Sequence, residues 1–369
     1  MKTILFVIPS FGGGGAERVL VNLVNNLDKT KYKVFVQTLF DVGVNKRYLD
    51  SEIEYIPGLK KQFPGNVFFM KLFTPKALYH LLVREKYDII VSYLEGPAAR
   101  IISGCPYEDT KLISWIHVEQ HTKKVASYSF RSEREAETCY NRFDRTICVA
   151  DSVLQDFTSL FHIVKPCMVL YNTNEDDRIR ELGEEPVEDI TYSNEINVCS
   201  VGRLRSEKGY DRLITVHKQL LDAGIKHHMY ILGTGAQESK LKAKVAELSV
   251  SDSFHFLGFR DNPYKYVSKA DLFVCSSRRE GFSTAVTEAL ILGVPVVSTC
   301  CSGAYELLGK NNEYGIVTEN SEQGIYDGMY QMLSTEGLLC HYKNKAKERG
   351  KYFSKENTVR AVEEMFDRL

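Results

Sequence analysis

The chain has 369 residues, 44% of them apolar and 26% charged. That is enough to bury the cores of two ordinary domains, and it is unlike a disordered or membrane-embedded composition. The formal net charge of −1 excludes a strongly basic nucleic-acid binder, although residues 1–170 carry 22 Lys and Arg against 18 Asp and Glu, a mild excess that suits an acidic acceptor or a membrane surface.

The opening Met1-Lys2-Thr3-Ile4-Leu5-Phe6-Val7-Ile8 mimics a short signal peptide. No cleavage region follows it, and residues 4–8 read as a first strand. Next comes Pro9-Ser10-Phe11-Gly12-Gly13-Gly14-Gly15-Ala16-Glu17-Arg18. Its glycines let the backbone approach a ligand and expose amides ahead of a helix over residues 16–27. The spacing is not G-x-G-x-x-G, so a dinucleotide fingerprint is not met, and a plain flexible connection is the competing reading. Further strands are expected at 34–39, 89–93, 111–116, 146–149 and 168–170. Between them, Lys60-Lys61-Gln62-Phe63 through Phe73 mixes cations with aromatics, which suits either anionic lipid headgroups or a partly buried loop. Two predicted strand ends carry polar groups. Glu95 follows the strand 89–93, and His117 and His121 follow the strand 111–116. His117 is the better-placed imidazole and His121 the runner-up, set against the ordinary case of a structural histidine.

Residues 172–194 are polar and acidic and read as a linker with a short helix. Strands are expected again at 196–201, 228–232, 254–257, 272–275, 295–298 and 315–317. Strands alternating with helical patterns predict parallel sheets in two α/β halves. In the second half Gly202-Arg203-Leu204-Arg205-Ser206-Glu207-Lys208-Gly209 follows the first strand. There Arg203 and Lys208 suit a diphosphate, the first as a fork of donors and the second as a point charge. Arg205 alone reads as a solvated side chain. The strand-end turn at Gly233 is a further candidate lining, and Phe259 ends the next strand, where a base could either stack or meet backbone groups. The richest stretch is Arg279-Glu280-Gly281-Phe282-Ser283, with Glu288 eight residues after Glu280. It places one acid at a strand's carboxyl end and another one turn into the next helix, on either side of amides that favour an anion. Any strand-turn-helix can carry two glutamates, one of them merely complementing the helix dipole. Nine scattered cysteines form no C-x-x-C pair and no metal spacing, as expected of reduced thiols in a cytosol. No apolar run reaches the ~18 residues of a spanning helix.

Together the Gly14–Arg18 opening, the Gly202–Gly209 loop, the Glu280/Glu288 element and Gly293-Val294-Pro295-Val296-Val297 resemble the retaining GT-B glycosyltransferases of family 4, over nearly the whole chain. The resemblance implies two Rossmann-like, doubly wound domains facing across a cleft: 1–171 on the acceptor side, 195–354 on the donor side, and a last helix, 355–369, returned to the first. It implies that Arg203 and Lys208 bind the diphosphate of a nucleotide-sugar, Glu280 its sugar and Glu288 its ribose. It also implies that Gly281, Phe282 and Ser283 offer amides, that His117 lies near the sugar, and that Gly14 and Gly15 adjoin donor and acceptor. The chain departs from the pattern at Thr299-Cys300-Cys301, which leaves the sugar open.

No Asp-x-Asp stands at a strand end, so no metal or other cofactor is expected, and Arg203, Lys208 and helix amides would neutralise the leaving diphosphate. The resemblance implies retention by front-face attack. It also implies a hexosyl or N-acetylhexosaminyl transfer, from a UDP-sugar by preference, to a lipid-diphosphate-linked glycan in bacterial surface-polysaccharide assembly. The enzyme would work in the cytoplasm, with peripheral contact at the inner face of the plasma membrane left open. A nucleotide-sugar epimerase of the same fold and a non-catalytic nucleotide-sugar-binding partner are the rival readings. Nucleic acid is not an expected partner.

Overall fold

A computed structural model describes residues 1–12 and 15–369. The chain divides into two compact units, Met1–Asn174 with Lys355–Leu369, and Glu175–Ser354.

The first unit is built on seven strands: β1 (Lys2–Ile8), β2 (Tyr32–Thr38), β3 (Glu54–Ile56), β4 (Ile89–Tyr93), β5 (Lys111–Ile116), β6 (Arg145–Cys148) and β7 (Cys167–Val169). All pairings are parallel, in the order β3-β2-β1-β4-β5-β6-β7. The unbroken apolar run Ile4–Ile8 is at most 1% exposed, because a central parallel strand is covered on both faces. β3 was not expected. Glu-Tyr-Ile has no apolar run, and it sits at the sheet edge, where burial demands less. The helix Lys355–Asp367 belongs to this unit and buries Val359, Val362, Met365 and Phe366. The Phe366 ring meets Phe6 and Tyr32 edge-on at 6.3 and 5.8 Å, and the Tyr32 hydroxyl donates to Asp367 at 2.8 Å.

The second unit holds β8 (Ile196–Val201), β9 (His227–Leu232), β10 (Phe254–Gly258), β11 (Leu272–Cys275), β12 (Val296–Thr299) and β13 (Ile316–Thr318). They pair in parallel in the order β10-β9-β8-β11-β12-β13. Val198, Met229, Leu272, Val274 and Val297 are closed into one core with the helices. The stretch read as a linker is divided. Residues 172–174 belong to the first unit, where Asn22 donates to the Thr173 carbonyl at 3.2 Å. From Glu175 onward the chain is bound to the second unit. Its helix Asp176–Glu184 packs Gly183 against Leu292 so closely that an added Cβ would lie 2.6 Å away. Tyr192 and Asp189 are both hydrogen-bonded to Tyr266.

In each sheet the order reverses once, between β1 and β4 and between β8 and β11. At such a point successive crossovers leave on opposite faces and open a crevice at the strands' carboxyl ends. The described residues flanking these points are 9–12 and 94–96 in the first unit, and 202–209 and 276–283 in the second.

Away from that edge, His217 and His227 are fully buried in a chain of hydrogen bonds. His227 Nδ1 lies 2.9 Å from the Ile225 carbonyl, which can only accept, so Nδ1 carries the proton. His227 Nε2 then accepts from His217 Nδ1 at 2.8 Å, and His217 Nε2 accepts from the Ser253 hydroxyl at 2.8 Å. With both rings charged, two N–H groups would meet at the His217–His227 contact, so the pair cannot be doubly protonated without breaking it. Burial, then the neighbouring imidazoles, push His217 down to about 2, and burial lowers His227 as well. The unfolded chain therefore binds protons near pH 6.5 that the native state refuses. Stability is complete above that pH and falls as pH drops below it, toward the folded values. For His217 alone the loss from pH 7.5 to 5.5 is on the order of 1 kcal/mol. Urea unfolding of wild type and His217→Gln at the two pH values checks this. The wild type should lose more stability than the variant, and equal losses would remove the network as the cause.

Candidate functional site

The loop after β8 is shaped by close backbone approach. Gly209 has φ 67°, and a Cβ there would stand 2.1 Å from the Ser276 carbonyl. Gly233 has φ 136°, and its Cβ would stand 2.0 Å from the Gly202 carbonyl. The turn after β9 thus lies directly on the loop after β8, tied also by Leu204 N–H to the Thr234 carbonyl at 3.0 Å. On the other side the loop is stitched to the end of β11. Arg278 grips Asp211 with two nitrogens at 2.7 and 2.8 Å and donates to the Ser206 carbonyl. Buried Arg212 donates to the Ser276 carbonyl at 2.7 Å and to Asn320. The Ser276 hydroxyl donates to the Lys208 carbonyl at 2.9 Å. These four residues, Asp211, Arg212, Ser276 and Arg278, were not singled out in the sequence. Their partners are distant in the chain, and no motif marks them.

The stitching delivers one contact. Lys208 Nζ donates to Glu280 Oε1 at 2.6 Å, and the Ser277 hydroxyl donates to the same oxygen at 2.6 Å. The ammonium and carboxylate retain 25% and 13% side-chain exposure, so the pair is mostly desolvated yet open to a ligand. Burial, the largest single effect, would lower the Lys208 pKa, but the Glu280 charge and hydrogen bond together with Cys275 and Cys301 outweigh it and hold the amine above its ordinary value. Arg203 is exposed and makes no ion pair among the described residues, whereas Arg205 faces Glu207 at 3.8 Å.

The helix Thr284–Ile291 starts directly after this loop. Ser283 caps it and accepts from the Val286 amide, so that donor is already satisfied. Gly281 is half-buried. The Phe282 side chain is committed to the core against Phe353 at 5.8 Å, so only its main chain is left for a ligand. Glu288 lies one turn into the helix, where Tyr264 donates to its Oε1 at 3.2 Å. Phe259, just beyond β10, is 67% exposed.

In the first unit Gly15 is exposed and begins the helix Gly15–Asn26; Gly14 lies outside the described residues. His117 follows β5 and is 4% exposed, with Nε2 buried and unpartnered among the described residues. Burial pushes this imidazole down to about 3, so it is neutral at physiological pH. His121 is exposed, its Nδ1 3.7 Å from both Glu119 and Asp156. The two histidines are thus different in kind, one a dry neutral ring and the other a solvated surface group. All nine cysteines are free. Among the described residues no group of three or more His, Cys, Asp and Glu gathers as a metal cage.

Two family models match in tandem: glycosyltransferase family 4 over residues 13–178, and glycosyl transferases group 1 over residues 184–349. The chain is a glycosyltransferase of the GT-B fold. Among its relatives is the N-acetylgalactosamine-N,N'-diacetylbacillosaminyl-diphospho-undecaprenol 4-alpha-N-acetylgalactosaminyltransferase of Campylobacter jejuni, 29% identical over 98% of each chain. A second from the same organism, the alpha-1,4-N-acetyl-D-galactosaminyltransferase acting on GalNAc-alpha-(1->4)-GalNAc-alpha-(1->3)-diNAcBac-PP-undecaprenol, is 25% identical over 96% of this chain and 95% of its own. In fold, the glycosyltransferase superposes on Anabaena HepE, solved with UDP and glucose, with TM-score 0.78, 19% identity and full coverage of both chains. A Rickettsia africae glycosyltransferase gives TM-score 0.80 at 18% identity, covering 100% of this chain and 98% of that one.

The structure brings Lys208, Glu280 and Ser277 of this glycosyltransferase into direct contact at the β8/β11 reversal, with Gly233 closing one side. Since Gly233 admits no Cβ, Gly233→Ala combines a left-handed backbone with a steric overlap. It should lower stability by about 1–3 kcal/mol and weaken nucleotide binding. Thermal unfolding and titration with UDP test this. Wild-type values in both would show that the turn relaxes away without disturbing the loop.

Proposed function

We propose that the enzyme transfers a sugar from a nucleotide-sugar, UDP-linked by preference, to a lipid-diphosphate-linked glycan, retaining the donor's anomeric configuration without a metal. The Lys208–Glu280 pair at the sheet's reversal point carries the reading. In the pair the Glu280 carboxylate favours the charged form of Lys208. A bound donor would substitute phosphate oxygens for Glu280 around the ammonium, and sugar hydroxyls for Lys208 around the carboxylate. Arg203, exposed beside them, adds a second cation to the diphosphate. Negative charge grows on that group as the glycosidic bond breaks, so the cations favour the transition state over the ground state. Glu288, with Tyr264 as its neighbour, is the candidate for the ribose. The amides of Gly281, Phe282 and Ser283, with Gly14 and Gly15 of the first unit, are candidates for sugar and phosphate, and Phe259 for the base. Neutral His117 suits a sugar-facing hydrogen-bonding role. The activities of both Campylobacter relatives support an undecaprenol-diphosphate-linked acceptor, a hexosamine as the transferred group and a place in glycan assembly.

Lys208→Ala and Arg203→Ala should each weaken donor binding and turnover by about 10–100-fold, the worth of one charge-assisted hydrogen bond, and EDTA should leave the wild type active. Glu280→Gln keeps an oxygen acceptor for Lys208 and Ser277 but loses the charge, so kcat/KM should fall far more than the modest drop in melting temperature expected from an unpaired ammonium. NMR of the product's anomeric proton reports the stereochemistry. An inverted product, activity restored only by Mg²⁺ or Mn²⁺, or unimpaired variants would each overturn the corresponding part.

A surface of the first unit supports a membrane-held acceptor and work at the inner face of the plasma membrane. Phe68, Leu72 and Tyr128 are 60%, 73% and 56% exposed. Lys71 lies 5.3 and 5.4 Å from the Phe68 and Tyr128 rings, and Arg131 holds the Lys71 and Leu72 carbonyls. Aromatic rings interleaved with cations suit an anionic interface. Phe68→Ser/Leu72→Ser should sediment less with phosphatidylglycerol vesicles while binding UDP normally. Unchanged sedimentation would assign the patch elsewhere.

A further inference from the structure

Glu95 follows β4 in a turn whose backbone is forced. Leu94 has φ 88° and Gly96 φ 93°. A leucine in left-handed backbone is an outlier that persists only where its surroundings enforce it, and such residues gather at functional sites. Here the turn aims the carboxylate at the neighbouring strand. β4 pairs with β5 with Tyr93 beside Trp115, and Glu95 Oε2 accepts the backbone N–H of His117 at 3.0 Å. Glu95 makes no ion pair among the described residues, so a nearby cation does not explain its placement. Burial raises its carboxyl pKa above the ordinary range.

What the carboxylate holds is the residue with the unpartnered nitrogen. The His117 ring is wedged against Tyr93 at 4.6 Å and stacked beside Trp115 at 6.5 Å, with Nε2 buried and unpartnered among the described residues. A buried nitrogen with no partner is costly and is retained where a ligand supplies one. The ring's direction is set by the two aromatic rings packed against it, while its height at the strand end is set by the main chain that Glu95 grips.

The geometry points to Glu95 as a positioning residue that fixes where the His117 imidazole stands, by accepting its backbone amide from a strained turn. This deepens, and rests on, the reading of His117 as a sugar-facing group. The role needs an oxygen acceptor rather than a charge, so glutamine serves and alanine does not.

Glu95→Ala, Glu95→Gln, His117→Ala and the double alanine variant of the full chain are compared in kcat, donor KM and melting temperature, with ¹⁵N-histidine spectra in which the His117 ring signals are those missing from His117→Ala. A displacement of about 1 Å at a reacting centre costs about 10²-fold, so Glu95→Ala should lose kcat on that order with donor KM within about threefold. Glu95→Gln should recover the rate to within about threefold. The double variant should be no slower than His117→Ala, because both changes act through one ring. The His117 ring signals should move in Glu95→Ala and stay in Glu95→Gln. Multiplicative losses in the double variant, a glutamine variant as slow as alanine, or unmoved ring signals in Glu95→Ala would each overturn the proposal. If His117→Ala alone runs at full rate, it is the role given to His117 that fails, and the ring signals still decide whether Glu95 places it. Should Glu95→Ala not fold, the glutamine variant's rate and spectra decide.

Discussion

Two opposite charges 2.6 Å apart and mostly out of water, Lys208 and Glu280, set the terms for the second unit. Removing either partner alone would leave a half-buried charge unpaired, which is more costly than the pair is worth. The surrounding structure therefore has to hold both, and much of it does. Arg278 and Asp211 lock the lysine's loop to the glutamate's loop, Arg212 holds the strand end beneath them, and Ser277 gives the carboxylate a second donor. The same pair is the chemical asset of the site. Under the proposed function it offers an ammonium suited to phosphate and a carboxylate suited to hydroxyls.

That arrangement exists because a parallel sheet reverses its strand order at β8 and β11. The reversal places residues 72 positions apart at neighbouring strand ends. Closeness is then a matter of backbone volume. At Gly209 and Gly233 an added carbon would lie about 2 Å from a carbonyl oxygen, so the loops can touch only where a side chain is missing.

The first unit solves the matching problem by strain rather than by charge. Leu94 is held left-handed so that Glu95 can cap the end of β5, and the aromatic walls of Tyr93 and Trp115 keep the His117 imidazole dry and neutral. A neutral ring can accept or donate at Nε2 without bringing a net charge into the site. Both units thus present their polar groups at the carboxyl ends of parallel strands, one through an ion pair and one through a buried imidazole.

Sequence alone determined the parts that depend on local pattern. Alternating apolar runs and helical stretches established α/β units with parallel strands, because a buried parallel strand must be apolar along its length. The cations and acids at 203, 208, 280 and 288 stood out because they punctuate strand-to-helix turns. Three kinds of fact had no local trace. The edge strand Glu54–Ile56 escaped because an edge needs no apolar run. The attachment of residues from Glu175 onward to the second unit escaped because polar composition reads as linker until its hydrogen bonds to Tyr266 and Ser268 are seen. The pairing of Lys208 with Glu280, and of Glu95 with the His117 amide, was decided only by tertiary structure. Strand order and left-handed turns are set by the packing of the whole sheet, and no window of sequence contains both partners.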